Sequence, residues 1–459
     1  MGGFSAVLGN PPFLGGQKLT GTFGDSFRDY LVQVVSNGEK GSIDLCTYFL
    51  IKTSQINHHR GNIAIVGTNS ISQGNNEQLG LKRLMLKGYQ ITSALTNIVW
   101  AGDASVIVHC ISISKNDYPS YLNGERVEKI GSNLEESLGV DWEPQPLSEN
   151  KNCSFQGSIL VGKGFFISED LAQQFLVDTE KNLEVIRRHI GGKDLNNSPE
   201  QQGSRWVIDF GNMDYEKAKS FVEPFRHIES HVKPERQRIN PKTGKHALSP
   251  RQVEFYWQYT RPRPQLYSQT RGKKERVLAI AQVSNTAQVA FVSPNDVLDA
   301  KLVVFDFDDF FHYGVMSSSI HLAWCFARCT TMKNDFTYTP NRLFEPFPFP
   351  NINDNVKQIA KTLDEKRCKV MVNEEIGLTK LYNKIHDLKC TQSEIIELRK
   401  IHSELDYAVL SAYGWDDVSL QHDFNETGQG IRYFPSKKAS REILTRLTLL
   451  NKQKIENGG

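Results

Sequence analysis

The sequence predicts an α/β layer at its start, then a mixed α+β region, then helices to its end. Three observations carry that reading. Short apolar runs alternate with helical spacings over residues 1–120, glycines, aromatics and prolines dominate residues 150–350, and helix-periodic apolar positions fill residues 354–459.

Residues 4–8 form the first apolar run, which stops at Gly9-Asn10-Pro11-Pro12. Neither proline has a backbone N–H, so a sheet ladder cannot continue through them. Phe27, Tyr30, Leu31, Val34 and Val35 then repeat at helical spacing, and residues 43–56 predict a second, largely apolar helix. Residues 62–67 are apolar at their centre, as in a buried parallel strand, and residues 104–114 predict another strand, rich in Val and Ile. Strands separated by helices favour a parallel sheet. Residues 118–152 read as a polar connection. The α+β region ends on a proline run at residues 346–350, read as an extended boundary, with recognition by a partner as the lesser alternative. Beyond it, Leu398, Ile401, Leu405, Ala408, Val409 and Ala412 share one helix face, and Gly414 is a natural stop. Residues 442–451 continue as helix.

With 459 residues, 39% hydrophobic and 23% charged, the composition is that of an ordinary globular protein with room for roughly three domains. A formal charge of +2 neither requires nor excludes a nucleic-acid partner; only its distribution decides. No apolar stretch approaches the roughly 18–20 residues that span a bilayer, and the first residues lack a basic and apolar signal region. Seven thinly spread cysteines suit free thiols in a reducing cytoplasm. Only Cys325 and Cys329 lie close together, with no second pair to complete a zinc site, so no metal is expected.

The sharpest feature is Asn10-Pro11-Pro12-Phe13, directly after the first strand. Methylating an exocyclic amine such as adenine N6 is difficult because the nitrogen lone pair is delocalised into the ring. Two acceptors aimed at the amino hydrogens favour a more tetrahedral nitrogen whose lone pair faces the methyl donor. An Asn side-chain oxygen and a carbonyl held by a rigid Pro-Pro turn provide such acceptors without a charged base. A following aromatic can stack on a base taken out of the duplex. Asn and Pro also make ordinary turns at strand ends, the alternative reading of the same residues.

At these residues the sequence resembles the MmeI-like DNA adenine methyltransferases of restriction-modification and phage-defence systems. G-N-P-P-F-L-G-G at residues 9–16 matches the catalytic motif; D-L-C-T-Y-F at 44–49 and T-N-S-I-S-Q-G at 68–74 match the next segments. W-A-G-D-A-S-V at 100–106 resembles the motif that closes the adenine pocket. G-K-G-F at 162–165, W-V-I-D-F-G at 206–211, P-F-R-H-I at 224–228, H-V-K-P-E-R at 231–236, Thr339-Pro340 and F-E-P-F-P-F-P at 344–350 resemble the family's target-recognition domain. L-T-K-L-Y-N at 378–383 and H-S-E-L-D-Y-A-V-L-S-A-Y-G-W at 402–415 resemble its helical end.

The resemblance implies a Rossmann-like mixed sheet at 1–120, a DNA-specificity domain at 150–350 and a helical domain at 354–459, in a bacterial or archaeal cytoplasm. It implies that Asn10 and Pro11 accept from adenine N6, Pro12 shapes the turn, and Phe13 stacks on the flipped base. Trp100 and Gly102 are the candidates for the pocket lining. It also implies S-adenosylmethionine as cofactor, for which such enzymes use a Gly-rich turn after a strand and an acidic residue for the ribose. No such motif is recognisable here: Gly21-Thr22-Phe23-Gly24 follows no strand, and Gly162-Lys163-Gly164 lies in the recognition region. The expectation is therefore a chain inactive alone. It would be a gene fragment, a partner of a separate N-terminal methyltransferase or nuclease polypeptide, or a degenerate remnant. The alternative is a non-catalytic DNA-binding specificity module.

Residues 205–276 hold 16 Lys and Arg against 8 Asp and Glu, a local net of +8, with aromatics interleaved. Arg can read guanine in the major groove, and Lys meets mostly phosphate. Lys233, Arg236, Arg238, Arg251, Trp257, Arg261 and Arg263 are the candidate contacts to double-stranded DNA. A solvated basic face is the competing reading, with Trp257 as a core residue.

Overall fold

The computed structural model describes residues 2–39, 41–100, 106–137, 139–140, 142–241, 243–332, 335–427 and 429–458. They fall into two units, residues 1–141 and 142–459.

In the first unit, alternating apolar residues build a six-stranded sheet from β1 (Phe4–Gly9), β2 (Asn57–Thr68), β3 (Gln90–Val99), β4 (Ile107–Ser114), β5 (Ser120–Leu122) and β6 (Glu125–Val127). The order is β1-β2-β4-β3-β5-β6. β1 and β2 are parallel, with Val7 opposite Ile63 and Gly9 opposite Ile65. β4 runs antiparallel to both β2 and β3, so the sheet is mixed. Helix Leu45–Ile56, anticipated at residues 43–56, covers one face. Its Leu50 joins Ile63, Ile65, Ile91, Ile111 and Ile113 in a buried core.

Several local expectations are corrected. Residues 104 and 105 of the strand expected at 104–114 lie outside the described residues, and the rest is antiparallel rather than parallel. β3 was not anticipated, because its alternation is broken by irregularities between Ile91 and Ser93 and between Leu95 and Ile98. The polar connection at 118–152 contains the β5–β6 hairpin. Asn123 (φ 52°) and Gly124 (φ 89°) form its turn, the dipeptide that left-handed backbone at both positions favours. The helical spacing from Phe27 to Val35 is real, over Asp25–Tyr30 and Leu31–Val35. A widened π-type turn rotates the buried stripe, so Leu31, Val32 and Val35 are buried while Phe27, Tyr30 and Val34 stay exposed.

The second unit holds two four-stranded sheets. One orders Val297–Leu298, Ile186–Ile190, Arg205–Ile208 and Phe166–Ile167; the other orders Ala290–Val292, Val277–Ala281, Leu302–Phe305 and Ser154–Gln156. Every residue of Val277–Ala281 is buried, as in a central strand. That sheet shares a single core with helices Ser319–Arg328, Asp354–Asn373 and Ser393–Tyr413. The boundary expected near residue 350 therefore does not separate two cores. The proline run is a packed strap: Phe347 is buried, and its carbonyl accepts from Asn150 Nδ2 at 2.8 Å. Asn451 Nδ2 holds the Pro346 carbonyl and the Tyr413 hydroxyl holds that of Pro348, both at 2.8 Å. The apolar face from Leu398 to Val409 is buried as its spacing predicts, and Gly414 (φ 73°) ends the helix. No helix among the described residues is long and apolar enough to cross a membrane.

Candidate active site and nucleic-acid interface

The Asn10–Phe13 loop leaves the C-terminal end of β1, where the parallel β1–β2 pair also ends. Open α/β sheets place ligand sites at such strand ends. Pro11 is buried, whereas Asn10 and Pro12 are exposed and Phe13 is half-buried. The loop closes on itself through the Leu14 N–H, which donates to Pro12 O at 3.2 Å.

Asp44 holds the loop from behind. Its Oδ1 accepts from the Gly16 N–H at 3.0 Å, and its Oδ2 accepts from the Ser70 hydroxyl. The Leu45 N–H donates to Leu14 O at 2.9 Å. Asn76 orients Asp44 in turn: its Oδ1 accepts from the Asp44 N–H at 2.7 Å and from the Thr47 hydroxyl at 2.8 Å. Only glycine fits at position 16, since a Cβ there would lie 2.5 Å from Ile43 O. The segments at 44–49 and 68–74 thus meet behind the Asn10 turn. Sequence reasoning flagged these segments but gave Asp44, Ser70 and Asn76 no role; their polarity beside apolar elements was the available signal.

Phe13 meets Trp100 edge-to-face, with ring centroids 5.8 Å apart and planes at 85°. Trp100 follows β3, and its N–H donates to Val106 O at 2.9 Å. The β3 irregularity before it re-aims the chain. It places Asn97 (φ 57°) so that its N–H donates to His109 Nδ1 at 3.0 Å. Burial pulls the His109 imidazole down to about 4, so it stays neutral near pH 7 and can accept that bond. Gly102 lies outside the described residues.

The face of the sheet away from the core carries Leu8, Ala64, Val66, Ser93, Leu95 and Cys110. They line an open cavity of about 460 Å³ that reaches Asn10. Pro11 and Pro12 offer no N–H to a phosphate or carboxylate, and of the two glycines that follow, Gly16 has its amide committed to Asp44. The Asn10–Gly16 loop thus fits the base side of a transfer, and no step through S-adenosylmethionine is derived from it.

In the second unit the structure sorts the candidate DNA contacts. Arg236 is buried, at 1% exposure, and donates to Val161 O from Nε at 3.1 Å and from Nη2 at 2.6 Å. Burial lowers its guanidinium to about 10. It is corrected from a DNA contact to a core cation. Trp257 is buried too, with Nε1 donating to Met213 O at 2.9 Å. Arg263 adopts left-handed backbone (φ 55°) and holds Gly157 O at 3.1 Å and Gln156 Oε1 at 2.7 Å, a structural post. Lys233 is half-buried, paired with Glu229 at 3.3 Å and lying over the Tyr256 ring. Arg251 is exposed but donates to Thr260 O and Gln258 Oε1, both at 3.2 Å. The interleaved Tyr256, Tyr259 and Tyr267 are buried.

Arg238 and Arg261 remain exposed. Arg238 opens a hairpin in which Ile239 bridges His246, the Asn240 N–H donates to Lys245 O at 2.8 Å, and the Ala247 N–H donates to Arg238 O at 2.9 Å. Lys245 is exposed on the same hairpin, and Lys242 lies outside the described residues. On the neighbouring sheet, Arg205 opens the basic stretch counted above, and Arg188 lies outside it. Arg188 stacks over Trp206 at 4.6 Å and Arg205 over Phe166 at 4.3 Å.

Comparison with known proteins agrees with this division. The profile of the MmeI DNA-methyltransferase domain matches residues 5–123, and that of the MmeI target recognition domain matches residues 135–351. DNA methyltransferase A of Bacillus subtilis (strain 168) is 25% identical over 428 residues, covering 89% of this chain and 45% of that protein. The type IIL restriction-modification enzyme MmeI, solved in complex with DNA, superposes with a TM-score of 0.68 at 20% identity, covering 98% of this chain and 57% of that one. The chain thus spans about half the length of the relatives it matches. With both domains matched in order and the fold shared along nearly the whole chain, the protein belongs to the MmeI family and carries its DNA-methyltransferase and target recognition domains.

Proposed function

We propose that this chain is the base-handling and DNA-reading part of a site-specific adenine-N6 DNA methyltransferase. The observation that carries the reading is the exposed Asn10 beside a rigid Pro11-Pro12 turn, pinned from behind by Asp44 and flanked by the Phe13–Trp100 pair. In this reading the Asn10 side-chain oxygen and the Pro11 carbonyl accept the two N6 hydrogens of a flipped adenine. That draws the nitrogen lone pair out of conjugation and toward the donor. Fixed acceptors need no reorganisation as the nitrogen becomes positive, which favours the transition state over the ground state. Phe13 and Trp100 bound the base. S-adenosylmethionine supplies the electrophilic methyl group when bound, and the residues that hold it belong to a partner or a further segment.

The test is sequencing of modified bases in DNA from a methylation-free host. No signal is expected from this chain alone. A sequence-specific N6-methyladenine signal is expected when a cofactor-binding methyltransferase segment is co-expressed, and it should vanish with Asn10→Ala. Methylcytosine instead would overturn the adenine assignment, and a signal from this chain alone would overturn the divided cofactor site. DNA binding without methylation, even with that segment, would leave a specificity module.

For DNA reading we favour the exposed 238–247 hairpin. Replacing Arg238 and Lys245 together by Ala is expected to lower the slope of log K against log salt by roughly two phosphate contacts. Anisotropy titration of duplex DNA from low to moderate salt measures it, and an unchanged slope would remove the hairpin from the interface.

A further inference from the structure

The second unit contains a cavity of about 330 Å³ between helix Leu378–Ile385 with its following turn, the Asn285-Thr286 loop and strand Gly430–Phe434. That volume lies in the range of small-molecule sites. Arg432 lines it and is 92% buried, yet among the described residues no carboxylate pairs with it. Its Nη2 donates to Asn285 O, while its Nε has no hydrogen-bond partner. A buried cation with an unsatisfied donor is costly unless an anion completes it.

A neighbouring histidine responds to that positive charge. His386 lines the same cavity, and its Nδ1 has no partner. Burial first, then repulsion from Arg432, His402 and Arg399, holds its imidazole well below the ordinary histidine range. Arg399 is itself buried and donates to the carbonyls of Lys384, Ile385, Asp387 and Cys390, and among the described residues no carboxylate pairs with it. The rim has the opposite character. Asp387 is exposed there, its Oδ1 accepting from the Lys389 N–H at 2.9 Å, beside the amide side chains of Asn383 and Gln429.

We propose that this cavity binds a small phosphate monoester of nucleotide size. The phosphate sits on Arg432 in charge-assisted hydrogen bonds, and the sugar hydroxyls donate to Asp387 at the rim. Charge sorts the ligand: an oxyanion fits the floor, a neutral hydroxylated moiety fits the mouth, and the Asn and Gln amides can hydrogen-bond either way.

Isothermal titration of the full chain with AMP and with inorganic phosphate tests this. Saturable AMP binding is expected, tighter than that of inorganic phosphate, and weakened at least roughly ten-fold by Arg432→Gln. Because Arg432 is buried, a second variant guards against misfolding. Asn383→Asp at the exposed rim adds a negative charge outside the core and should weaken AMP several-fold at an unchanged melting temperature. Absence of saturable binding by either probe would overturn the proposal. So would equal AMP affinity in wild type and both variants. Phosphate binding as tight as AMP would overturn the nucleotide-sized part.

Discussion

Gly16→Ala is expected to lower the stability of the first unit by about 3 kcal/mol, or roughly 10 °C in melting temperature. The added Cβ would sit 2.5 Å from Ile43 O, 2.8 Å from Ile43 N and 2.9 Å from Ile43 C. Backbone cannot yield as the tip of a flexible side chain can, so the Asn10–Gly16 loop or the start of helix Leu45–Ile56 must shift. Either shift stretches the Gly16 N–H bond to Asp44, a charge-assisted hydrogen bond worth about 1.5–3 kcal/mol. Scanning calorimetry reads the stability. Asp44→Asn, which keeps the acceptor oxygen and loses the charge, should fall between wild type and Gly16→Ala. A Gly16→Ala protein melting within about a degree of wild type would mean that the loop is not held as described.

Arg236→Met should cost about 2–4 kcal/mol, because the Val161 carbonyl loses both of its guanidinium donors in a buried site. Met keeps much of the volume beside Phe165, so packing is largely retained. The same variant should leave the salt dependence of DNA binding unchanged, since a side chain at 1% exposure cannot release phosphate counterions. The contrast with Arg238 and Lys245 is the point of the measurement. Lost slope with unchanged melting temperature at Arg236 would reverse its assignment.

How far the sequence could be read follows from where the controlling interactions lie. The Asn10-Pro11-Pro12 turn was legible because proline acts locally, ending a ladder wherever it falls. The helix face at Leu398, Ile401 and Leu405 was legible because periodicity is a local record of burial. β3 was not, because its irregularities beside Ser93 and Ile98 break the alternation that would have announced it. Charge counting failed for a different reason. The +8 of residues 205–276 treats all cations alike, but several are structural. Arg271 pairs with Asp209 at 3.1 Å, Lys274 with Asp306 at 2.9 Å, and Arg276 stacks on Phe291 at 3.7 Å. Which arginines face solvent is decided by tertiary partners far away in sequence, as Arg236 and Val161 illustrate. Asp44 escaped notice likewise, since its partners Gly16 and Ser70 lie 28 and 26 residues away.

Among the described residues β1 is paired on one side only, with β2, at the end of the sheet order. Backbone amides on that outer side should exchange with solvent through fraying of a six-residue strand, a far easier opening than the one that frees β4 from its two neighbours. Asn10 hangs from the end of that strand. Its steadiness is therefore governed by the exchange clock of an edge rather than by the stability of the unit. Any strand laid along that edge would slow deuterium uptake at residues 4–9 and steady the turn without touching it.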